Sequence, residues 1–417
     1  RQSYNRPTRI GVEVIKMSYE IPIRVFKERF RTIRDYLSAH DLKALMVFES
    51  LNLTYTSGFL DDTRNAAERP IVCVVPREAE PFMVLCELST HHALYEVEKG
   101  TCAIKDIRFY VEHPRQANRT YLSIQWADMV ADILNEKSCL GGKIGVDVRP
   151  ASVSPGLASK LHNTALVDAS DLLQEMRLIK CKEELDLIRR CGPISDLGQK
   201  ILMGEIRVGK AQLEIGADAI KAMQREAAAK YPNAAIEIRA NVMGTGPIFS
   251  PMPHTTRGMG RKVQKGDSLI DITAVRVNGY GVENERTFTV GKPTEKQARV
   301  FNVMVRAQQE ALRAQRPGNK LSNVDAAAQR VIENAGYGDY IMHRTYHGIG
   351  LGGHEYPYYT AFMDRKIKPG MVLSCEPGIY IPNFGGFRHS DTVIITEKGP
   401  ELVTKFPRDL DSLVVAV

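Results

Sequence analysis

Five of the ten histidines fall at or after residue 254: His254, His343, His347, His354 and His389. The same stretch holds Asp271, Glu283, Glu285, Glu355, Glu376 and Asp391, each on or beside a predicted strand or a Gly/Pro turn. Imidazoles and carboxylates hold divalent metals, and they also move protons near neutral pH. A lone strand carboxylate is ordinarily solvated or salt-bridged. Several on neighbouring strands of one sheet are harder to explain structurally, because buried charges must be paired or bind something. In "GGFRHSDTVIITEKG", His389, Ser390 and Asp391 are adjacent and match the residue types of a nucleophilic triad. Alternate strand residues face opposite sides, so Ser390 points away from its neighbours and no triad forms. His354 and Glu355 of "GGHEYP" are adjacent rather than spaced on a helix, so they are no HExxH pair. "GMGRKVQKG" lacks the order of a phosphate-binding loop and reads as a plain loop.

The elements that must position these groups follow from hydrophobic periodicity. "IPIRVFKERFRTIRDYLSAHD" places Val25, Phe26, Phe30, Ile33 and Leu37 on one helical side. "ALMVFES", "PIVCVVP", "PFMVLCE" and "KIGVD" read as strands, and "SIQWADMVADILNEK" as a helix. This alternation predicts an α/β domain with a partly parallel sheet. After "LVDASDLLQEMRLIK" come two helices, "KEELDLIRRCGPISDLGQKIL" and "LEIGADAIKAMQREAAAKY", then the alternating strands of "DSLIDITAVRVNGYGVENERTFTVG". A further helix pair precedes the strands "GMVLSCEPGIYIP", "FRHSDTVIITEKG" and "PELVTKF". The second domain is therefore α+β with a curved antiparallel sheet. We place the domains at 1–172 and 173–417, with 1–16 an extension.

The 417 residues, 43% hydrophobic, suffice for two large cores. Lys and Arg exceed Asp and Glu by 56 to 49, with no sustained basic run, so nucleic acid is not an expected partner. Seven scattered cysteines without a CxxC pair argue against a disulfide framework or a structural zinc site. No apolar run reaches transmembrane length, and the basic start "RQSYNRPTRIGVEVIK" lacks the apolar core of a secretory signal. A cytoplasmic enzyme is expected, with an Arg-rich transit peptide as the alternative for the first residues.

The ordered series "SLIDITAVRVNGYGVENERTF", "HGIGLGGHEYP", "SCEPGIYIP" and "GGFRHSDTVIITEKG" resembles the creatinase/prolidase/aminopeptidase P family, the pita-bread enzymes. The resemblance implies an N-terminal α/β domain and a pseudo-symmetric α+β catalytic domain, in a homodimer whose subunits complete each other's sites. Metallopeptidases of the family hold two divalent ions with two Asp, one His and two Glu. By position these match Asp271, Glu283, His347 and Glu376, but the bridging second Glu falls on Ser390. A neutral hydroxyl does not replace a bridging carboxylate between two dications. The interval from Asp271 to Glu283 is also one residue longer than the usual peptidase interval, which predicts a bulge.

Creatinase is the family member that works without metal, using a His acid/base and two Glu that grip a guanidinium. Those positions match His254, Glu285 and Glu376. His347 and His354 complete the expected catalytic set. Tyr358 stands where creatinase has a carboxylate-binding Arg. Arg69 or Arg64 could bind a substrate carboxylate across a dimer, and Arg388 could organise the site. A third relative, dimethylsulfoniopropionate lyase, shares the longer interval but carries an Asp where this chain has Thr273.

The resemblance thus implies first a hydrolase of a C–N bond in a small polar nitrogen compound, creatinase-like and free of cofactor. The alternatives are a metal-dependent Xaa-Pro dipeptidase or aminopeptidase, a lyase-like enzyme, and a degenerate member that serves as a scaffold. If a metal binds, it is one divalent ion (Mn, Fe, Zn or Co) on Asp271, Glu283, His347 and Glu376. The partners are a small-molecule substrate and a second copy of the chain, with no nucleic acid and no membrane.

Overall fold

The helical stripe at the start of the chain is buried as its spacing requires. Val25, Phe26, Phe30, Ile33 and Leu37 all face inward on α1 (Ile23–Ala39). The structure, a computed structural model, describes residues 19–60, 68–112, 121–254 and 257–417. The chain forms two compact units, residues 1–176 and 177–417.

In the first unit, strands β1 (Ala44–Val47), β2 (Val72–Pro76), β3 (Phe82–Cys86), β4 (Asp106–Tyr110), β5 (Gly142–Val146) and β6 (Thr164–Asp168) form one sheet. Their order is β4-β3-β2-β1-β5-β6. The pairs β1–β2 and β2–β3 are antiparallel, and the others are parallel. Helices α2 (Ser50–Ser57), α3 (Thr90–Lys99), α4 (Trp126–Glu136) and α5 (Pro155–Ala158) lie between the strands in sequence. β1, β2 and β3 are buried at every position, which explains their continuous apolar runs. Helix α6 (Ser170–Leu178) runs across the boundary between the units.

The second unit opens with α7 (Lys182–Glu205) and α8 (Gln212–Lys230). Glu184 reaches back to the Cys181 amide at 2.7 Å, satisfying a donor that the first turn of α7 leaves unpaired. Strand β7 (Ile236–Thr245) follows, then α9 (Gly246–Phe249), β8 (Ser268–Val277), β9 (Tyr280–Asn284) and β10 (Thr287–Val290). Next come α10 (Glu295–Ala314), α11 (Leu321–Asn334), β11 (Val372–Cys375), β12 (Gly378–Ile381), β13 (Gly385–Arg388), β14 (Asp391–Thr396), β15 (Gly399–Leu402) and β16 (Val414–Val415). One sheet runs β16-β10-β8-β7, with β9 also paired to β8. Two smaller antiparallel sheets are β11-β14-β15 and β12-β13. The antiparallel expectation holds apart from the short parallel pair β10–β16.

Strands β8 and β9 join through Asn278 and Gly279, both at positive φ (49° and 83°), the signature of a type I′ hairpin turn. Their register runs from Val277↔Tyr280 to Thr273↔Asn284, and β10 resumes it at Ile270↔Thr287. No residue is inserted, so the expected bulge between Asp271 and Glu283 is absent. The register shift in this sheet lies on the other side, between Val242 and Gly244 of β7.

The His389–Ser390–Asp391 stretch is divided between two environments. The Asp391 carboxylate is fully buried and accepts from Arg286 at 2.8 Å, Thr404 at 2.8 Å and Gln308 at 3.0 Å. His389 accepts from the Thr287 amide at 3.1 Å and lies edge-on to Phe301. Both tie β14 and its approach to β10 and α10, which is structural work. Ser390 faces the opposite way, as the strand alternation predicts.

Candidate functional site

Glu283 sits on β9 opposite Ala274 of β8. Its backbone is clamped by Thr392, which accepts from the Glu283 amide at 2.9 Å and donates to its carbonyl at 2.8 Å. Ser390 donates to the Glu283 carboxylate at 3.1 Å. Two residues on, Glu285 exchanges backbone hydrogen bonds with Ser390 at 2.9 and 3.0 Å. Its carboxylate meets Arg388 in a fork, with Nη2–Oε1 at 2.7 Å and Nε–Oε2 at 2.5 Å.

Glu376 follows β11, and His347 lies in the loop before it. The His347 amide donates to Ser374 Oγ at 2.9 Å, and Ser374 Oγ donates to Glu376 at 3.3 Å. His347 Nδ1–H donates to the Gly348 carbonyl at 2.9 Å. That bond fixes the ring and aims Nε2 at Glu376 Oε1, 3.1 Å away, with Glu283 Oε1 at 3.9 Å. Buried Nε2 has no other hydrogen-bond partner. His354 stacks on His347, ring centres 3.8 Å apart, and its Nδ1 accepts from Arg344 at 3.0 Å.

Ligating atoms of Glu283, His347 and His354 lie within 4.8 Å of one another, as do those of Glu283, Glu285 and Glu376. Three carboxylates so close cannot all ionise without cations. Burial and Glu376 push Glu283 upward. Glu376 goes the other way despite burial, because His347 holds it well below the usual carboxylate range. Burial opposes charge on His347, but Glu376 overrides it and raises the imidazole to about 9. His354 drops to about 4 through burial and the charge of His347. The arrangement favours an added cation, either a metal ion or a cationic part of a substrate.

Asp271 is not part of this cluster. It lies on the opposite face of β8, where its carboxylate accepts from the Arg286 amide at 2.9 Å and from Gln199 of α7 at 3.3 Å. Burial raises it to about 7. Asp271 is therefore withdrawn from the candidate metal ligands. With a two-residue turn and no bulge, residues 271 and 283 fall on opposite faces. On the site face, by the same register, Ile272 stands opposite Glu285. Thr273 shares the averted face and meets Ser195 of α7 at 2.8 Å. The second metal position thus loses both acids, one to a face reversal and one to Ser390.

His254 lies on the loop after α9. Burial lowers its pKa, with the charge of Arg388 next in effect. The carbonyl of neighbouring Pro253 is 3.5 Å from Arg388. Tyr358 is 37% exposed, stacks edge-on with Tyr356 and does not line the cleft described below. Arg64 lies outside the described residues. Arg69 belongs to the first unit and pairs with Glu112 at 3.1 Å. Glu355 is structural: Lys180 at 3.0 Å and Arg177 at 2.5 Å hold it, and despite burial they lower it to about 2.

Three site neighbours have no local motif. Tyr380 accepts from Arg388 at 3.1 Å and shares a 2.7 Å hydrogen bond with His343. Burial lowers His343 to about 4, so its neutral Nε2 accepts from the tyrosine. Arg344 orients His354. A cleft of about 270 Å³ opens over the cluster, lined among others by Arg239, Ile272, Ala274, Glu283, Ile349 and His354.

Comparison with known proteins identifies the family. Residues 29–179 match the Creatinase/Prolidase N-terminal domain. An Xaa-Pro dipeptidase of Pyrococcus furiosus is 35% identical over 240 residues, 58% of this chain and 67% of that protein. The crystal structure of dipeptidase PepE from Mycobacterium ulcerans superposes with a TM-score of 0.77 at 29% identity, covering 95% of this chain and 100% of that one. The prolidase from Pyrococcus horikoshii gives 0.75 at 25% identity, covering 92% and 99%. With residues 186–397 matching the metallopeptidase family M24, the chain belongs to that family of hydrolases that act on C–N bonds.

Proposed function

We propose that the chain hydrolyses an amide-type C–N bond in a dipeptide-sized substrate, as an Xaa-Pro dipeptidase or a close variant. This reverses the order reached from the sequence, where a creatinase-like reaction stood first. The similar proteins named as dipeptidases favour the peptidase alternative. The observation that carries the reading is that Glu283, at the cleft, shares one cluster of possible ligand atoms with His347 and His354 and another with Glu285 and Glu376.

Family metallopeptidases use two ions, and the donor set here does not fit two. It fits one: Nε2 of His347 and the carboxylates of Glu283 and Glu376, 3.9 and 3.1 Å from it, form a hard, anionic triad. Bound there, a divalent ion would lower the pKa of a water and polarise the scissile carbonyl. The chain's own groups have separate tasks. His254, kept neutral by burial, would take a proton from the attacking water and return it to the leaving nitrogen. His354, with Nδ1 accepting from Arg344, presents Nε2–H to a developing oxyanion. Arg388 keeps Glu285 paired and, with Tyr380, holds that wall rigid. The substrate-binding roles of Tyr358, Arg69 and Arg64, the homodimer and a cytoplasmic setting belong to the same reading. Among the described residues no helix is long and apolar enough to cross a membrane.

A metal-free, creatinase-like reaction is the second reading. It is favoured by the averted Asp271, by Ser390, and by the carboxylates Glu285 and Glu376, which could grip a planar cation. Metal analysis of the purified protein, with hydrolysis of Xaa-Pro dipeptides before and after chelation, separates the two. Chelator-sensitive cleavage with one bound ion supports the first. Undiminished turnover of a small amide or guanidino acid by metal-free protein, without dipeptide cleavage, overturns it.

A further inference from the structure

The face of the sheet beneath the cleft has an ordered chemistry across its strands. Arg239 of β7 stands opposite Ala274 of β8, and Ala274 stands opposite Glu283 of β9. These three side chains share one row on one face. All three line the cleft. Neighbouring strands are about 4.8 Å apart, so β7 and β9 are separated by about 10 Å. The small side chain of Ala274 leaves the middle of the row open. An Arg side chain and one residue-sized ligand, about 3.5 Å along its chain, fill that span.

The two arginines at this cleft are used differently. Arg276 is committed to the structure, donating to the carbonyls of Gly279 at 3.1 Å and Leu351 at 2.5 Å. Arg239 is exposed at the cleft; its Nε donates to the Asn241 side-chain oxygen at 3.0 Å, and among the described residues no ion pair with a carboxylate is formed, so its terminal nitrogens face the cleft uncommitted to a carboxylate. Its charge is among those that disfavour protonated His254, so it lies within electrostatic reach of the site. A cation at one end of this row, with a carboxylate cluster at the other, is suited to hold one end of a short ligand whose other end reaches that cluster.

We propose that Arg239 anchors a carboxylate of the substrate, with the scissile C–N bond lying over Ala274 beside Glu283. This deepens the reading of a C–N hydrolase and rests on it. The substrate class is then a short free acid, such as a dipeptide or an acylated or amidinated amino acid, rather than an internal peptide segment. A planar guanidinium can take a carboxylate in two parallel hydrogen bonds, which a lysine cannot reproduce.

The test is equilibrium binding by calorimetry to the intact protein, in chelator and within a time over which amine release shows no turnover. The probes are Ala-Pro and a guanidino acid, each against its C-terminal carboxamide. The wild type should bind at least one free acid more tightly than its amide by about 10- to 100-fold, the range for a hydrogen bond to a charged group. Arg239→Gln should abolish that preference while amide binding is unchanged, and Arg239→Lys should restore only part of it. Ala274→Leu should weaken acid and amide alike by closing the floor. Equal binding of acid and amide by the wild type, or a preference kept in Arg239→Gln, overturns the assignment. Hydrolysis is scored separately by amine release. An Arg239-dependent preference without turnover would leave the anchor standing and remove the proposed reaction.

Discussion

Replacing Arg388 with Met should expose how the site stores its charge. Arg388 is 2% exposed and meets the Glu285 carboxylate at 2.7 and 2.5 Å. Met keeps most of the stem and removes the cation, leaving Glu285 buried beside Glu283 and Glu376. Breaking a buried pair by removing one partner costs about 3–5 kcal/mol. The pH dependence gives a second route to that figure. In the folded protein burial already pushes Glu285 up to about 8, against the pull of Arg388. Below that value both proteins hold the proton in the folded state and lose stability alike as pH rises from about 5. Without Arg388 the folded pKa rises further, so the variant goes on losing up to about 1.4 kcal/mol per unit above pH 8, where the wild type levels off. Two units, to about pH 10, give about 3 kcal/mol, inside the first range. Urea unfolding of wild type and variant from about pH 6 to 10 measures it. The difference should be small near pH 7 and about 3 kcal/mol near pH 10. A double variant, Arg388→Met with Glu285→Gln, should lose most of the pH dependence. A penalty independent of pH, or one unchanged in the double variant, would refute the charge argument and leave only lost packing.

Other outcomes follow from the same geometry. Mass spectrometric metal analysis should find no more than one divalent ion per chain, and the pair Ile272→Asp with Ser390→Glu should raise the limit to two; a wild-type stoichiometry of two would refute the face reversal. His254→Ala should lower turnover by about 100- to 10,000-fold with an unchanged melting temperature, whereas an unchanged rate would remove it as acid/base. Glu355, folded value about 2 and unfolded about 4.3, contributes about 3 kcal/mol that is complete above pH 5 and lost as pH falls toward 2. Glu355→Gln should therefore be markedly less stable than wild type at pH 7 and nearly equal to it near pH 2, as read by denaturant titration.

Much of the fold is legible because period and burial agree. The apolar stripe of α1, the solid apolar runs of β1 to β3 and the acidic start of α7 each state their element locally. Strand β7 is less conspicuous, although Ile236, Ile238, Ala240 and Val242 alternate in period two. It follows directly on a long helical run, and its other face carries Glu237 and Arg239, which read as solvated. Arg239 is passed over with it. Tyr380 and Arg344 carry no signal at all, since what they touch comes from loops and strands distant in sequence. The histidines and glutamates are legible because buried titratable groups on strands are rare enough to require an explanation.

Asp271 shows how motif matching can assign the right letters to the wrong face. Its neighbours "LIDITA" align it with a metal-binding Asp, and nothing in those six residues argues otherwise. The information is seven and eight residues away, in the Asn-Gly of "VRVNGYGVE". That pair specifies a two-residue hairpin turn. Counting outward, 277 faces 280, 274 faces 283 and 271 faces 286. Residues opposite one another share a face, and each step along a strand changes it. Position 271 is three steps from the partner of Glu283, an odd number, so the two acids face apart. One residue fewer would have placed the acid at 272, on the site. The acid's place one position before 272 therefore removes a metal ligand without substituting it, and Ser390 removes the other. A carboxylate buried against α7 then serves the Arg286 amide, and on the proposed reading the cleft keeps donors for one ion instead of two.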